Sequence, residues 1–310
     1  MRLIAGFLKM IRLPNLLFII LTQVLFQYCV YIPLYQGSIP PNDALQLILL
    51  VIASVFIAAA GYCINDYFDI NIDEVNKPGQ MVVDKVIHRR WAIGWHFILS
   101  SFGILLTLFA VPVLQKWYII LANILCVALL WFYSTSFKRS LLIGNIVISL
   151  LTAWTILILF FAKLSPDDAI GSGNPVNYKF FRIAFLYAGF AFILSLIREA
   201  IKDMEDLKGD EKHGCRTMPV VWGVNATKVY VAVWLFVLIA LLAVVEVYVL
   251  QFNWWWAVAY IALLIIAPLV FIFYRLYRAT ETFVFHQLSN WSKFVMLTGI
   301  LSLIFFRFYL

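Results

Sequence analysis

The decisive stretch is Asn65-Asp66-Tyr67-Phe68-Asp69-Ile70-Asn71-Ile72-Asp73, which closes a long apolar run. Its three carboxylates are spaced three and four residues apart, so in a helix they share one face. Like charges stacked in this way repel by roughly 0.2–0.5 kcal/mol per pair even when they are solvated. The repulsion is worse at a membrane boundary, where the dielectric constant is lower. We therefore expect a cation among these carboxylates.

The same acidic pattern returns at Asp203, Asp206 and Asp210. The intervals from 66 to 203, from 69 to 206 and from 73 to 210 are each 137 residues. Acidic residues at a membrane edge are commonly solvated loop residues, and Lys202 is near enough in sequence to neutralise Asp203. Two copies with matching spacing, both at the ends of apolar helices, instead favour two halves of one cation site.

The composition is that of a polytopic membrane protein. Of the 310 residues, 64% are hydrophobic and 13% are charged, and the mean hydropathy is +0.95. A soluble domain of this length cannot bury so much apolar surface. The net charge of +7 does not indicate nucleic-acid binding, because the basic residues lie in short loops between apolar runs. Four scattered cysteines without a C-x-x-C pair support neither a disulfide framework nor a zinc site.

We predict an all-α membrane helical bundle in one domain, 1–310, with about nine transmembrane helices. An interfacial lead-in covers 1–14, and two polar cap loops cover 66–90 and 203–228. The predicted spans are 15–34, 44–65, 91–113, 117–135, 141–162, 181–202, 227–250, 254–275 and 290–309.

The orientation follows from the distribution of lysine and arginine. Of the 23 such residues, 18 fall in the N-terminal segment or in connections on the same side as the acidic motifs. This side includes Arg275, Arg278 and Lys293, which we assign to the connection between the eighth and ninth spans. By the positive-inside rule, both motifs face the cytoplasm, and nine spans put the C-terminus outside. We expect an integral protein of the inner (cytoplasmic) membrane.

Aspartates at two helix ends are hard oxygen ligands, which suit Mg²⁺. The four histidines show no ligand spacing near them, which disfavours softer metals. Magnesium held by carboxylates beside lysine and arginine is a common way to bind a diphosphate. The sequence has neither a G-x-x-x-x-G-K-[ST] nor a G-x-G-x-x-G loop. A diphosphate without a nucleotide-binding fold points to a lipid diphosphate.

A third polar element, Tyr133-Ser134-Thr135-Ser136-Phe137-Lys138-Arg139, ends the fourth span, and Gly144-Asn145 opens the fifth. The Lys-Arg pair is either a topology anchor or a pair of phosphate ligands. The Tyr133 side chain can donate to phosphate or face a developing cation. The amide of Asn65 either caps the helix end or orients a carboxylate or phosphate.

These motifs resemble the UbiA-type intramembrane prenyltransferases over nearly the whole chain. Asn65-Asp66-x-x-Asp69-x-x-x-Asp73 matches the family's N-D-x-x-D-x-x-x-D, and Asp206-x-x-x-Asp210 matches its second motif. Tyr133 and Lys138 resemble the family's Y-x-x-x-K element with one residue more between them, so Arg139 competes with Lys138. The resemblance implies a bundle around a central cavity, an isoprenyl diphosphate donor, Mg²⁺ and a lipid or aromatic acceptor.

The resemblance also implies roles for particular residues. Asp66, Asp69 and Asp73 are expected to hold one Mg²⁺, and Asp206 and Asp210 a second, with Asp203 assisting. Lys138 and Lys202 are expected to stabilise the leaving diphosphate. The full set expected to contact substrate is Asn65, Tyr133, Lys138, Arg139, Asn145, Arg198 and Lys202.

The acceptor is the open question within the family. The run from Arg198 to Asp210 most resembles the branch that transfers geranylgeranyl to geranylgeranylglyceryl phosphate. An aromatic quinone precursor is the alternative acceptor. A cation-coupled transporter is an alternative of another class, but it would place its acids near mid-membrane. A CDP-alcohol phosphotransferase is disfavoured, because its D-G-x-x-A-R signature is absent.

Overall fold

The protein is described by a computed structural model that covers residues 2–36, 38–76, 79, 81–165, 167–168 and 173–310. These residues include nine helices long and apolar enough to cross a membrane, and no strand longer than an isolated bridge. The all-α class and the predicted span number are therefore confirmed, while the single-domain division stays a prediction. The spans are α1 (Leu13–Leu34), α2 (Asp43–Phe68), α3 (Arg89–Ala110), α4 (Val113–Thr135), α5 (Ile143–Lys163), α6 (Pro175–Glu205), α7 (Val224–Leu250), α8 (Trp255–Arg278) and α9 (Thr282–Tyr309).

Two of the spans contain a π-helical segment, Phe26–Tyr31 in α1 and Ala262–Ile266 in α8. Each segment is followed closely by a proline, Pro33 or Pro268. Proline cannot donate to the carbonyl four residues before it and clashes with that group, which the wider π turn relieves.

In α8, Pro268 leaves the carbonyl of Leu264 without its usual helical donor. The hydroxyl of Thr298 in α9 donates to that carbonyl at 2.8 Å. An unpaired carbonyl in an apolar bundle costs several kcal/mol, roughly, so this contact stabilises the packing of α8 against α9.

Helix α2 packs closely on its neighbours through glycine. A Cβ atom at Gly103 of α3 would lie 2.7 Å from the Ile57 side chain and 3.2 Å from the Ala53 carbonyl. A Cβ atom at Gly61 of α2 would lie 2.7 Å from Leu130 of α4. Small residues permit such close approach where lipid supplies no hydrophobic force between helices. This packing fixes the rotation of α2, and with it the direction of the acidic motif at its end.

Most of the predicted span boundaries lie within a few residues of the observed ones. Two predicted starts are wrong: α6 begins at Pro175 rather than 181, and α9 at Thr282 rather than 290. The connection between α8 and α9 is therefore only residues 279–281, and Lys293, which we assigned to it, lies inside α9. The apolar stretch alone underestimates both helices, because their first turns carry polar side chains.

The predicted cap loops contain helical segments and an isolated bridge between Val83 and Ile87. The short helices are Ile70–Asn76, Leu207–Lys212 and Met218–Val221. The lead-in forms the helix Arg2–Met10. Met1 of the lead-in and Lys77, Pro78 and Gln80 of the first cap lie outside the described residues.

The end of the bundle away from the acidic motifs is held by a buried ion pair. Lys163 at the end of α5 lies 2.5 Å from Asp43 at the start of α2, with side chains 2% and 7% exposed. Gln27 of α1 also donates to Asp43, and Lys163 donates to Gln46 at 2.9 Å. These contacts join α1, α2 and α5.

Replacing Lys163 with Met should destabilise the protein by about 3–5 kcal/mol, because it leaves the Asp43 carboxylate buried and unpaired. The double variant Lys163→Met/Asp43→Asn should recover part of this loss, since it removes the uncompensated charge. The measurement is the apparent unfolding temperature in detergent, with the exposed Lys179→Gln in α6 as control. Equal unfolding temperatures for Lys163→Met and Lys179→Gln would contradict the assignment.

Candidate active site at the ends of α2 and α6

The first acidic motif spans a bend at the end of α2. The helix ends at Phe68, and Asp69 occupies the C-cap with φ −89° and ψ −2°. Its N–H still donates to the Asn65 carbonyl at 3.0 Å, and the Asp73 N–H donates to the Asp69 carbonyl at 2.8 Å. The helical repeat therefore continues through the bend. As the spacing predicts, Asp66, Asp69 and Asp73 all line one cavity.

The second motif bends at the equivalent residue. Helix α6 ends at Glu205, and Asp206 adopts φ −91° and ψ 5° before the helix Leu207–Lys212 begins. The Asp206 N–H donates to the Lys202 carbonyl at 2.8 Å, and the Asp210 N–H to the Asp206 carbonyl at 3.2 Å. The repeat seen in the sequence is thus also a repeat of backbone conformation.

Asn76 joins the two motifs directly. Its side-chain amide donates to the Asp206 carbonyl at 3.1 Å and accepts from the Gly209 N–H at 2.9 Å. A Cβ atom at Gly209 would collide with the Asn76 amide group. The sequence analysis did not single out Asn76, because a lone asparagine after the third aspartate carries no recognisable signal until its partner is known.

The cavity beside the motifs has a volume of about 800 Å³. Its deep part is mostly apolar and extends to Val249 of α7, Ala257 of α8 and Phe305 of α9. The predicted site residues that line it are Asn65, Asp66, Asp69, Asp73, Tyr133, Lys138, Arg198, Lys202 and Asp206. Four others, Asp203, Asp210, Arg139 and Asn145, are not among its lining residues.

The cations expected among the first carboxylates come from two separate elements. Arg12, between the lead-in helix and α1, lies 3.0 Å from Asp66. Lys138, in the 3₁₀ turn after α4, forms an ion pair with Asp69. The Asn65 amide also donates to Asp69, at 2.6 Å. The sequence analysis used Arg12 only to infer the membrane orientation, because no local pattern shows that the backbone directs its side chain toward α2.

Electrostatics keep both of these cations charged. Burial lowers the pKa of Arg12, but Asp66 and Tyr62 outweigh burial and hold that pKa above its ordinary value. Burial likewise lowers the pKa of Lys138, and Asp69 more than offsets it together with Tyr133, so the net shift is upward. The mouth of the cavity therefore holds fixed positive charge beside its carboxylates.

The second motif is arranged differently around its acids. Lys202 lies 3.1 Å from Glu199, and Asp203 instead accepts a hydrogen bond from Asn145 at 2.9 Å. Asp210 accepts from the Thr217 hydroxyl at 3.2 Å. Burial raises the pKa of Asp210 to about 6, and Lys138 partly opposes this shift.

Several lining residues were missed by sequence reasoning. Glu199 accepts from Arg198 at 2.8 Å and from Lys202, and it is buried beside the second motif. In α9, His286 lies 2.8 Å from Glu205, and Asn290 lies 3.1 Å from His286. An i, i+4 polar pair inside an apolar span is the signal that could have found the α9 residues.

Known proteins resemble this chain in sequence and in fold. The model of the UbiA prenyltransferase family matches residues 17–301. The chain belongs to the UbiA prenyltransferase family. A digeranylgeranylglyceryl phosphate synthase of Methanosphaera stadtmanae is 30% identical over 263 residues, which are 82% of this chain and 86% of that relative.

Two solved structures share the UbiA fold over nearly the full length of both chains. A structure of digeranylgeranylglyceryl phosphate synthase has a TM-score of 0.60 and 22% identity, covering 98% of this chain and 99% of that one. A UbiA homologue from Archaeoglobus fulgidus bound to GPP and Mg²⁺ has a TM-score of 0.57 and 19% identity, covering 96% and 99%. This UbiA family member is therefore an integral membrane prenyltransferase.

The donor set of the cavity mouth fits magnesium. Among the residues that the structure describes, no three His, Cys, Asp or Glu side chains are already gathered as a metal site. Arg12 and Lys138 instead hold Asp66 and Asp69. The acidic motifs offer only carboxylate oxygens, which are ligands for a hard cation. The paired cations are suitable partners for phosphate once a metal takes the carboxylates.

Replacing Gly209 with Ala should lower prenyl transfer about tenfold or more while the protein stays folded. The added methyl group displaces the Asn76 amide and breaks two hydrogen bonds between the motifs, each worth about 0.5–1.5 kcal/mol. The measurement is the rate of diphosphate release at saturating Mg²⁺. Gly189→Ala in α6 is the matched control, because a Cβ atom there meets nothing within 4 Å.

Asn76→Ala should reproduce the loss, and the double variant should be no worse than either single one, because both remove the same contact. Additive losses would show that Gly209 acts elsewhere.

Proposed function

We propose that this enzyme transfers a geranylgeranyl group from its diphosphate to the free hydroxyl of a prenylglyceryl phosphate, with Mg²⁺ as cofactor. The observation that carries the proposal is the meeting of two acidic motifs at the polar mouth of one largely apolar cavity. The likeness to digeranylgeranylglyceryl phosphate synthase supports the acceptor. The Mg²⁺ and GPP in the UbiA homologue support the cofactor and the class of donor.

The metal ligands we propose are the aspartates of the two motifs. Asp66, Asp69 and Asp73 would hold one ion, and Asp206 and Asp210 the other. When bound, the ions neutralise the diphosphate and make it a better leaving group. Asp203 accepts a hydrogen bond from Asn145, and we propose that this pair supports the second motif while Asp206 and Asp210 bind the metal.

The donor's diphosphate is held by the cations of the mouth. Lys138 and Arg12 already lie against the carboxylates that the metal would occupy, so they are placed to take phosphate oxygens. Lys202 approaches from α6. Arg139 lies off the cavity, and its carbonyl accepts from the Arg216 N–H at 2.8 Å. We therefore assign the phosphate-binding role to Lys138.

Transfer breaks the bond between C1 of the prenyl group and a diphosphate oxygen, whose electron pair leaves with the diphosphate. The acceptor hydroxyl oxygen forms the new bond to C1 and its proton passes to the departing diphosphate, so the products are an ether and protonated diphosphate. Positive charge develops on the allylic carbons between these events. Tyr133 lines the cavity, and its ring can face that charge. The apolar walls exclude water, which would otherwise capture the cation.

We propose that the acidic mouth faces the cytoplasm, since most lysine and arginine residues lie at that end of the helices. The carboxylates lie at helix ends rather than at mid-membrane on broken helices, which counts against a cation-coupled transporter. An aromatic compound is the alternative acceptor, and the experiment below compares it directly with a prenylglyceryl phosphate.

The test uses purified protein in detergent with geranylgeranyl diphosphate and Mg²⁺, and follows diphosphate release with three acceptors. These are a prenylglyceryl phosphate, 4-hydroxybenzoate and a dihydroxynaphthoate. We expect release only with the prenylglyceryl phosphate. Asp69→Ala and Asp206→Ala should each lower it at least a hundredfold, roughly the loss when one preorganised electrostatic group is removed. EDTA should abolish release.

Glu281→Gln serves as the control, because this carboxylate is exposed in the connection between α8 and α9. Release that survives both aspartate substitutions would refute the metal site. Release with an aromatic acceptor alone would refute the proposed acceptor and leave the prenyltransferase chemistry intact.

A further inference from the structure

Helix α9 presents a polar row to the cavity. His286, Ser289, Asn290 and Lys293 all line it, at helical spacings of three and four residues. A lysine within a membrane-spanning helix is costly and usually marks a functional site. The other charges of the mouth come from the first acidic motif, the turn after α4, helix α6 with the residue that follows it, and the segments before α1, so α9 contributes a separate wall.

The ammonium group of Lys293 forms no ion pair or hydrogen bond with the residues that the structure describes. Its charged neighbours are mainly cations: Arg198 and Lys202 of α6, and Arg12. Glu205 is an acidic neighbour, but it is already paired with His286 at 2.8 Å. A half-buried ammonium group among other cations is unfavourable unless an anion joins it.

On the facing wall of α6, two cations are paired with the same carboxylate. Arg198 and Lys202 share one carboxylate, Glu199, at 2.8 and 3.1 Å. The Nε of Arg198 is buried and has no hydrogen-bond partner among the described residues. A buried guanidinium nitrogen without a partner is destabilising. Observations on two facing helices, α6 and α9, therefore favour an anion between them.

Lys293 and Lys138 lie in different electrostatic surroundings. Asp69, Tyr133 and Asp73 act most strongly on Lys138, whereas Arg198 and Lys202 of α6 act most strongly on Lys293. A reaction between a diphosphate and a phosphate-bearing acceptor needs two separate cationic positions, because the two anions repel.

We propose that Lys293 and Arg198 form a subsite for the phosphate monoester of the acceptor. The proposal rests on the proposed function and deepens it, since it names the residues that select an anionic acceptor. The phosphate accepts from the Lys293 ammonium and from the guanidinium of Arg198. This holds the acceptor hydroxyl toward the prenyl carbon and keeps the two phosphate groups apart.

The first experiment compares two acceptors, a prenylglyceryl phosphate and the same prenylglycerol without phosphate, in wild-type protein and in Lys293→Gln. The wild type should prefer the phosphorylated acceptor in kcat/KM. Lys293→Gln should reduce this preference about tenfold or more, since a hydrogen bond to a charged group is worth roughly 1.5–3 kcal/mol. The KM for the donor should not change, and Lys293→Arg should restore part of the preference. Lys179→Gln, an exposed lysine of α6, is the matched control.

A second experiment measures binding without chemistry. In EDTA, the prenylglyceryl phosphate should raise the unfolding temperature of the wild type more than the prenylglycerol does. This difference should vanish in Lys293→Gln and persist in Lys179→Gln. Because no transfer occurs, the result stands apart from the test of the proposed function.

A preference and a thermal shift that are unchanged in Lys293→Gln would overturn the subsite. A raised KM for the donor with an unchanged preference between acceptors would assign Lys293 to the diphosphate and also overturn it. If the wild type transferred to no prenylglyceryl phosphate, the proposed function would fail. The binding experiment would then still decide whether Lys293 and Arg198 bind a phosphate monoester.

Discussion

The constraint on which the rest of the structure depends is the repulsion among carboxylates at one end of an apolar bundle. Asp66, Asp69 and Asp73 lie on one side of the mouth, and Asp206 on the other, in a region where water screens charge poorly. Such a group is tolerable only if cations accompany it. The ion pairs of Arg12 and Lys138 supply that charge from outside both motifs. Removing either member of an ion pair leaves an uncompensated charge. The site therefore depends on the lead-in, which supplies Arg12, and on the turn between α4 and α5, which supplies Lys138.

The duplication of the motif extends from sequence to backbone. Both α2 and α6 bend at their second aspartate, with nearly the same φ and ψ, and continue as a short helix. The two short helices then meet through Asn76 and the space left by Gly209. Carboxylates on two separate helices thereby reach one cavity, and each motif is carried by short helices rather than by a long loop. Rigid support of this kind favours a preorganised electrostatic site.

The cavity separates polar from apolar chemistry along its length. Its mouth holds charged side chains, and its depth holds apolar side chains that can surround a prenyl chain. The cations are also divided between the walls, with Lys138 near the first motif and Lys293 on α9. A donor and an acceptor that both carry phosphate suit a mouth with two positive positions. The polar row on α9 thus has a physical reason to interrupt an otherwise apolar helix.

The linear pattern of residues determined much of this protein. Long apolar runs are local properties, so nine spans and their approximate bounds followed from the chain alone, as did the paired acidic faces. The spacing of Asp66, Asp69 and Asp73 predicts their shared face because helical periodicity is also local. The family followed from the same motifs. The start of α9 did not, because its first turns are polar.

Only the tertiary structure decided which of the candidate side chains reach the cavity. Lys138 and Arg139 are adjacent, and the resemblance to the family favours Lys138 without excluding Arg139. The choice depends on how the turn after α4 is rotated against α2 and the segment after α6. The turn of Arg12 toward Asp66 and the contact of Asn76 with Gly209 depend in the same way on residues 54 and 133 positions apart. Periodicity specifies the face of a helix, whereas packing specifies what that face meets.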